Sequence, residues 1–159
     1  MSIEEEKARL KVLAGHEEQL VFPKFSVDMA LTLGTRLMAH GQANSLPISV
    51  NISRHGQCLF SCALEGVSQD NEVWIARKNR VVNRFGHSSF YMGTHLRILG
   101  QTIEEKYLLP EHRYAPHGGA FPILIRDTGH IGTVTVSGLS QPEDHDLVVT
   151  YLTALLAEV

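Results

Sequence analysis

The sequence predicts a mixed α/β fold in which an antiparallel sheet of four or five strands carries helices on its faces. Two pairs of extended runs, residues 48–53 with 58–64 and 121–126 with 131–137, are each joined by a short turn, and such pairs make hairpins. Segments with helical periodicity precede, separate and follow the hairpins. Strands do not alternate regularly with helices, which disfavours a doubly wound parallel sheet.

The elements follow in order. Ser2 and Glu5 have the spacing of a capping box, and Ala8, Leu10, Val12 and Leu13 continue a first helix of about four turns. Leu20, Val21 and Phe22, stopped by Pro23, suit a short strand. Ser26 opens a second helix through Val27, Ala30, Leu31, Leu37 and Met38, ending at His40 and Gly41. From Pro47 the period drops to two: Ile48, Val50 and Ile52 alternate with Ser49, Asn51 and Ser53, which gives a strand with one apolar and one small polar face. Residues 54–57 turn the chain into a second strand, Cys58 to Leu64.

Asp70 suits the N-cap of a third helix through Val73, Trp74, Ile75, Val81, Val82 and Phe85, closed by Gly86, and Ser88 and Ser89 begin a fourth towards Gly100. Residues 101–119 lose periodicity and carry Pro110, Pro116, Gly118 and Gly119, so they form a long loop with one short helical turn around 104–107. The second hairpin, rich in Ile, Val and Thr, follows. Ser140, Pro142 and Glu143 then open a last helix whose apolar stripe is Leu147, Val148, Tyr151, Leu152 and Leu155.

With 159 residues, 43% hydrophobic and 19% charged, the chain is read as one domain over residues 1–159. Fourteen basic against 17 acidic residues give a net charge of −3, so neither nucleic acid nor a membrane surface is expected as a partner. The acidic opening lacks the basic start and apolar run of a secretory signal, and Leu147 to Ala157 falls short of the roughly 20 residues that cross a bilayer. A cytoplasmic location is expected. Cys58 and Cys62 lie four strand positions, about 13 Å, apart, too far for a disulfide, and read as small buried apolar groups.

Three blocks of residues carry a resemblance. Residues 71–89 (Asn71 to Ser89), then His117-Gly118-Gly119-Ala120-Phe121-Pro122-Ile123, then Gly132 to Leu139 with Glu143-Asp144-His145, make the chain similar, over almost its whole length, to the family of small proteins labelled heme-degrading domain-containing, in the GlcG/HbpS-like superfamily. The resemblance implies a profilin-like three-layer α/β/α arrangement with a five-stranded antiparallel sheet, and it implies homo-oligomers. It also implies haem as a possible cofactor, since some relatives bind or degrade haem while others have no assigned chemistry. It carries no catalytic set onto this chain.

From the residues themselves, the leading candidate site joins His117, Gly118 and Gly119, Ser137 and Gly138, and Asp144 and His145. Antiparallel pairing of the last two strands puts the loop before the first beside the exit of the second. The helix starting near Pro142 points free N–H groups to the same end, which favours an anionic ligand group and keeps His145 neutral. The alternative reading is a tight turn at the glycines and ordinary first-turn residues at 144 and 145. A second candidate is the basic stripe Arg77, Arg80 and Arg84, at i, i+3 and i+7, with Lys78 alongside; it suits an anion clamp, a solvated face, or an interface between subunits anchored by Trp74 and Phe85.

Nine histidines invite a metal reading, but no His-Glu-x-x-His or paired Cys-x-x-Cys spacing supports one, and His16, His40, His55, His87 and His130 fall at element ends or turns. No Gly-x-Ser-x-Gly, Gly-x-x-x-x-Gly-Lys or Gly-x-Gly-x-x-Gly segment is present. Three functions stay open at this point: a small-ligand-binding protein for haem or an anionic metabolite, an oxidative haem-degrading enzyme, and an oligomeric scaffold or protein-interaction module.

Overall fold

A computed structural model describes residues 1–159. Helix α1 (Ile3–Gln19) leads into strand β1 (Val21–Phe22) and helix α2 (Val27–Ala43); the hairpin β2 (Ser49–Arg54) and β3 (Gln57–Ala63) follows. Helices α3 (Gln69–Phe85), α4 (Ser89–Leu99) and α5 (Ile103–Tyr107) precede the hairpin β4 (Ala120–Ile125) and β5 (Gly129–Ser137), and α6 (Gln141–Leu156) closes the chain.

The five strands form one sheet in the order β1-β4-β5-β2-β3. Both predicted hairpins are present, and β2 also pairs antiparallel with β5, which joins them. The sheet is nevertheless mixed: β1 runs parallel to β4, with Val21 opposite Leu124 and Phe22 opposite Ile125. A turn fixes direction only for the two strands it joins, and β1 belongs to no hairpin; α2, the first hairpin and helices α3, α4 and α5 separate it from its partner.

Register makes the sheet amphipathic. Val50 pairs with Val136 and Ile52 with Val134, while Asn51 faces Thr135 and Ser49 faces Ser137. Because side chains alternate along a strand, all the apolar members point to one face. There α2 and α6 bury them with Leu33, Leu37, Val148 and Leu152 in the main core. The opposite face presents Thr133, Thr135, Ser137 and Asn51 to α3, which answers in kind: Asn79 accepts the Thr135 hydroxyl and donates to Asn51 Oδ1 at 3.2 Å. Helix α3 thus lies on a polar plate.

Three local expectations differ from the structure. Ser68, not Asp70, is the N-cap of α3, with Asn71 Oδ1 accepting the Ser68 N–H at 3.1 Å. Gly41 does not end α2, which continues to Ala43 with Gly41 buried against Leu64 and Ile48. Cys58 and Cys62 are exposed rather than buried, because β3 is the outermost strand of the sheet, with no strand beyond it.

Candidate ligand-binding site

At the end of the sheet where β5 runs into α6, a polar hollow of about 230 Å³ opens beneath the N-terminal half of α3. Asn71, Trp74 and Lys78 line it from α3, and His117 and Gly118 from the loop before β4. Ser137, Gly138 and Leu139 line it from the exit of β5, with Gln141 and Asp144 from the first turn of α6.

The hollow is built around a buried ion pair. Lys78 Nζ lies 3.2 Å from Asp144 Oδ2, with only 5% and 3% of the two side chains exposed. Nζ also donates to the Val136 carbonyl at 3.3 Å, and Asp144 Oδ1 accepts the Leu139 N–H at 2.9 Å. Burial lowers the pKa of Lys78 against the pull of Asp144. Burial likewise pushes Asp144 up to about 6, against Lys78 and the neighbouring amides. Both shifts run opposite to those of an exposed ion pair, so desolvation outweighs attraction here. Two titrating groups drawn towards each other in a cleft are a recurrent mark of functional sites.

The remaining side chains are held in place. Asn71 is pinned through its oxygen by Ser68 and donates from Nδ2 to Ser137 Oγ at 3.2 Å. Gln141 Oε1 accepts the Gly118 N–H at 3.1 Å, tying the loop to the start of α6. The His117 ring meets Trp74 edge-on, centroids 5.2 Å apart. Burial, and then the charges of Lys78, Arg77 and Arg97, lower the His117 pKa, so the ring is neutral at neutral pH. An ammonium, an amide, a hydroxyl and a neutral imidazole therefore converge beside an indole. That set offers hydrogen bonds to a small polar molecule and a flat wall to lie against.

Of the residues singled out in the sequence, His117, Gly118, Ser137, Gly138 and Asp144 line the hollow together. Gly119 lies just behind them. Its φ is +138°, and a Cβ there would fall 2.7 Å from Lys78 Nζ. His145 does not join them. Successive helical residues point about 100° apart, so with Asp144 turned to the hollow, His145 faces the other way. Its ring packs on Phe90 and Phe121, and Nε2 meets His16 Nδ1 at 3.1 Å. Burial, and then His16, depress its pKa to about 3, which leaves it neutral but outside the site.

The basic stripe is divided too. Lys78 turns inwards, whereas Arg77 lies over Trp74 at 4.6 Å and donates to the Glu111 carbonyl. Arg80 donates to the Arg113 carbonyl at 3.1 Å, and Arg84 is exposed. Arg77 and Arg80 fasten the loop that carries His117. The two expected interface anchors are used within the chain, Trp74 against His117 and Phe85 against Tyr107. Asn71, Leu139 and Gln141 were missed in the sequence. The spacing of Asn71, Trp74 and Lys78, at i, i+3 and i+7, could have shown that they share a helix face.

These features define an α/β protein whose five-stranded mixed sheet is covered by helices on both faces, with a polar hollow at one end. The chain belongs to the HbpS-like family: the family described as "Haem degrading protein HbpS-like" matches residues 25–153. It is 44% identical over 146 residues to the UPF0303 protein SCO2848 of Streptomyces coelicolor, covering 92% of each chain. Among solved structures it is similar to the Ybr137w protein, with 37% identity, a TM-score of 0.87, and 94% of this chain and 88% of that one covered. A PduOC:heme complex shares the fold at 19% identity and a TM-score of 0.66, covering 82% of this chain and 94% of the other.

The family description raises haem, and the hollow can be tested for it. Its 230 Å³ lie below the roughly 300–1,000 Å³ of pockets that enclose drug-sized ligands, and only two of its ten lining residues are apolar. A porphyrin is a broad apolar disc. The hollow of one chain does not fit an enclosed haem; its size and polarity suit something smaller and more polar.

Proposed function

We propose that this chain binds a small metabolite bearing a carboxylate or similar anionic group. The observation that carries this reading is the convergence of Lys78, Asn71, Ser137 and neutral His117 on one hollow of about 230 Å³. Asn71 and Ser137 supply directional donors, and the first turn of α6 adds the positive end of its dipole. Asp144 balances the Lys78 charge, so the site without ligand holds no uncompensated buried cation. His117 and Trp74 cover the ligand from the side.

Trp74 is the sole tryptophan and stands in the wall of the hollow, so its fluorescence reports occupancy. A saturable change is expected on titration with small carboxylates such as pyruvate and lactate, weakened at least about tenfold by His117→Ala or Asn71→Ala, the loss of one to two hydrogen bonds to a charged group. Hemin is the contrasting probe. A silent response to carboxylates together with a saturable Soret change, one hemin per chain and lost in His117→Ala, would replace this reading with haem binding. Silence to both would leave the scaffold reading.

A further inference from the structure

We propose that Lys78 captures a small carbonyl compound, a 2-oxo acid of a few carbons, as a protonated imine, with Asp144 carrying the proton. The inference deepens the preceding reading and rests on it, since the ligand's carboxylate would be held by the donors already described.

Of the chain's five lysines, Lys7, Lys11, Lys24 and Lys106 are exposed, and Lys78 alone is buried. Its ammonium borders the hollow rather than being sealed in the core. Nζ has two protein partners, Val136 O and Asp144 Oδ2, at 3.3 and 3.2 Å, which leaves its third substituent position free for a bond to carbon. Gly119 lies next to Nζ: its φ of +138° and the close Val136 carbonyl already require glycine there, and a side chain would also begin 2.7 Å from the nitrogen. A lysine serving only to hold two elements together needs no opening onto a hollow. A desolvated lysine beside a proton acceptor, in a cleft with anion-binding donors, is the arrangement from which imine-forming amines work.

The step balances without a further reactant. Asp144 takes one proton from the Lys78 ammonium, and the freed amine attacks the carbonyl carbon. A second proton passes from nitrogen to the new alkoxide and gives a carbinolamine. Asp144 returns its proton to that hydroxyl, which leaves as water while the nitrogen lone pair forms the C=N bond. The product iminium keeps the positive charge beside the Asp144 carboxylate, so the buried ion pair survives the reaction. The lowered Lys78 pKa and the Asp144 pKa of about 6 both shorten the first transfer.

The full-length chain is incubated with pyruvate and cyanoborohydride, then digested, and adducts are located by peptide mass mapping. Exposure alone would favour the other four lysines. The expected result is a reduced adduct on Lys78 exceeding their mean by about tenfold, the modest gain expected of a desolvated amine, lost when the wild-type chain is unfolded in urea, where all five amines are alike, and absent in Lys78→Arg, whose folding is checked by its own urea unfolding curve. No excess at Lys78 in the wild-type chain overturns the inference, whatever the variants do. Trp74 fluorescence, read with pyruvate and no reductant, separates the two readings: saturation without a Lys78 adduct removes the imine and leaves the binding site. Absence of both removes the two together for this ligand class.

Discussion

At the scale of single residues, Lys78 and Asp144 touch at 3.2 Å yet titrate as burial dictates. Asp144→Asn leaves a buried ammonium without its carboxylate, and a loss of about 3 kcal/mol in urea unfolding is expected. Adding Lys78→Met should restore most of it, since asparagine still accepts the Leu139 N–H and no buried charge remains. His145 sets an opposite dependence on acid. Its folded pKa of about 3 lies below its ordinary 6.5, so between those values the unfolded chain binds more protons and stability falls as pH drops. Asp144 acts the other way between about 6 and 3.8, where the folded chain binds more protons. The loss that these two groups contribute on acidification is therefore concentrated near pH 6.5 and again below about 4, and His117 and His130, whose pKa values burial also lowers, add losses of the same sign as that of His145. Replacing His145 by Phe, among Phe90 and Phe121, should remove its share, so that the loss of stability measured from pH 7 to 4 is smaller than in the wild-type chain.

At the scale of elements, the loop carrying His117 is positioned by its neighbours more than by itself. Arg77 and Arg80 of α3 hold the carbonyls of Glu111 and Arg113, and α4 supports the loop at Gly93. Helix propensity alone says that Gly93→Ala gains up to about 1 kcal/mol. Packing should win, because the new Cβ would collide with the backbone carbonyl of Pro116, which cannot swing aside as a side chain tip can. The expected outcome is a chain less stable by about 1–3 kcal/mol, with His117 displaced and the Trp74 response to carboxylates weakened; thermal unfolding and fluorescence titration check the two parts. Much of this scale was readable in advance. Alternation at 48–53 gave β2 its two faces, and Ser140 with Glu143 marked the start of α6, where Ser140 Oγ accepts the Glu143 N–H. The arginine stripe was legible as a face but not as a clamp, because its partners are backbone carbonyls more than 30 residues away.

At the scale of the whole molecule, the sheet is a plate with an apolar side for α2 and α6 and a polar side for α3. The hollow forms where the polar side runs out, at the junction of β5 and α6. No helix is long and apolar enough to cross a membrane. Strand β3 leaves one edge of the sheet unpaired, with Cys58 and Cys62 exposed along it. An open edge of seven residues invites pairing with another chain. If the homo-oligomer expected from the resemblance forms, light scattering reads a multiple of 17.6 kDa.

The amino-acid order by itself determined the hairpins, the principal helices and the family, because periodicity, turn residues and caps act over a few positions along the chain. It also placed His117 beside Ser137 at one end of the sheet, through antiparallel pairing of the last two strands, and brought Asp144 and His145 to the same end through the short link from Ser137 to the last helix. Only the tertiary structure decided that β1 would run parallel to β4, that Lys78 rather than the arginines would face Asp144, and that His145 would pair with His16. Those outcomes depend on the rotation of helices about their own axes and on contacts between residues 66 to 129 positions apart. Such contacts are settled by burial and packing of the assembled layers, on which local spacing has no hold.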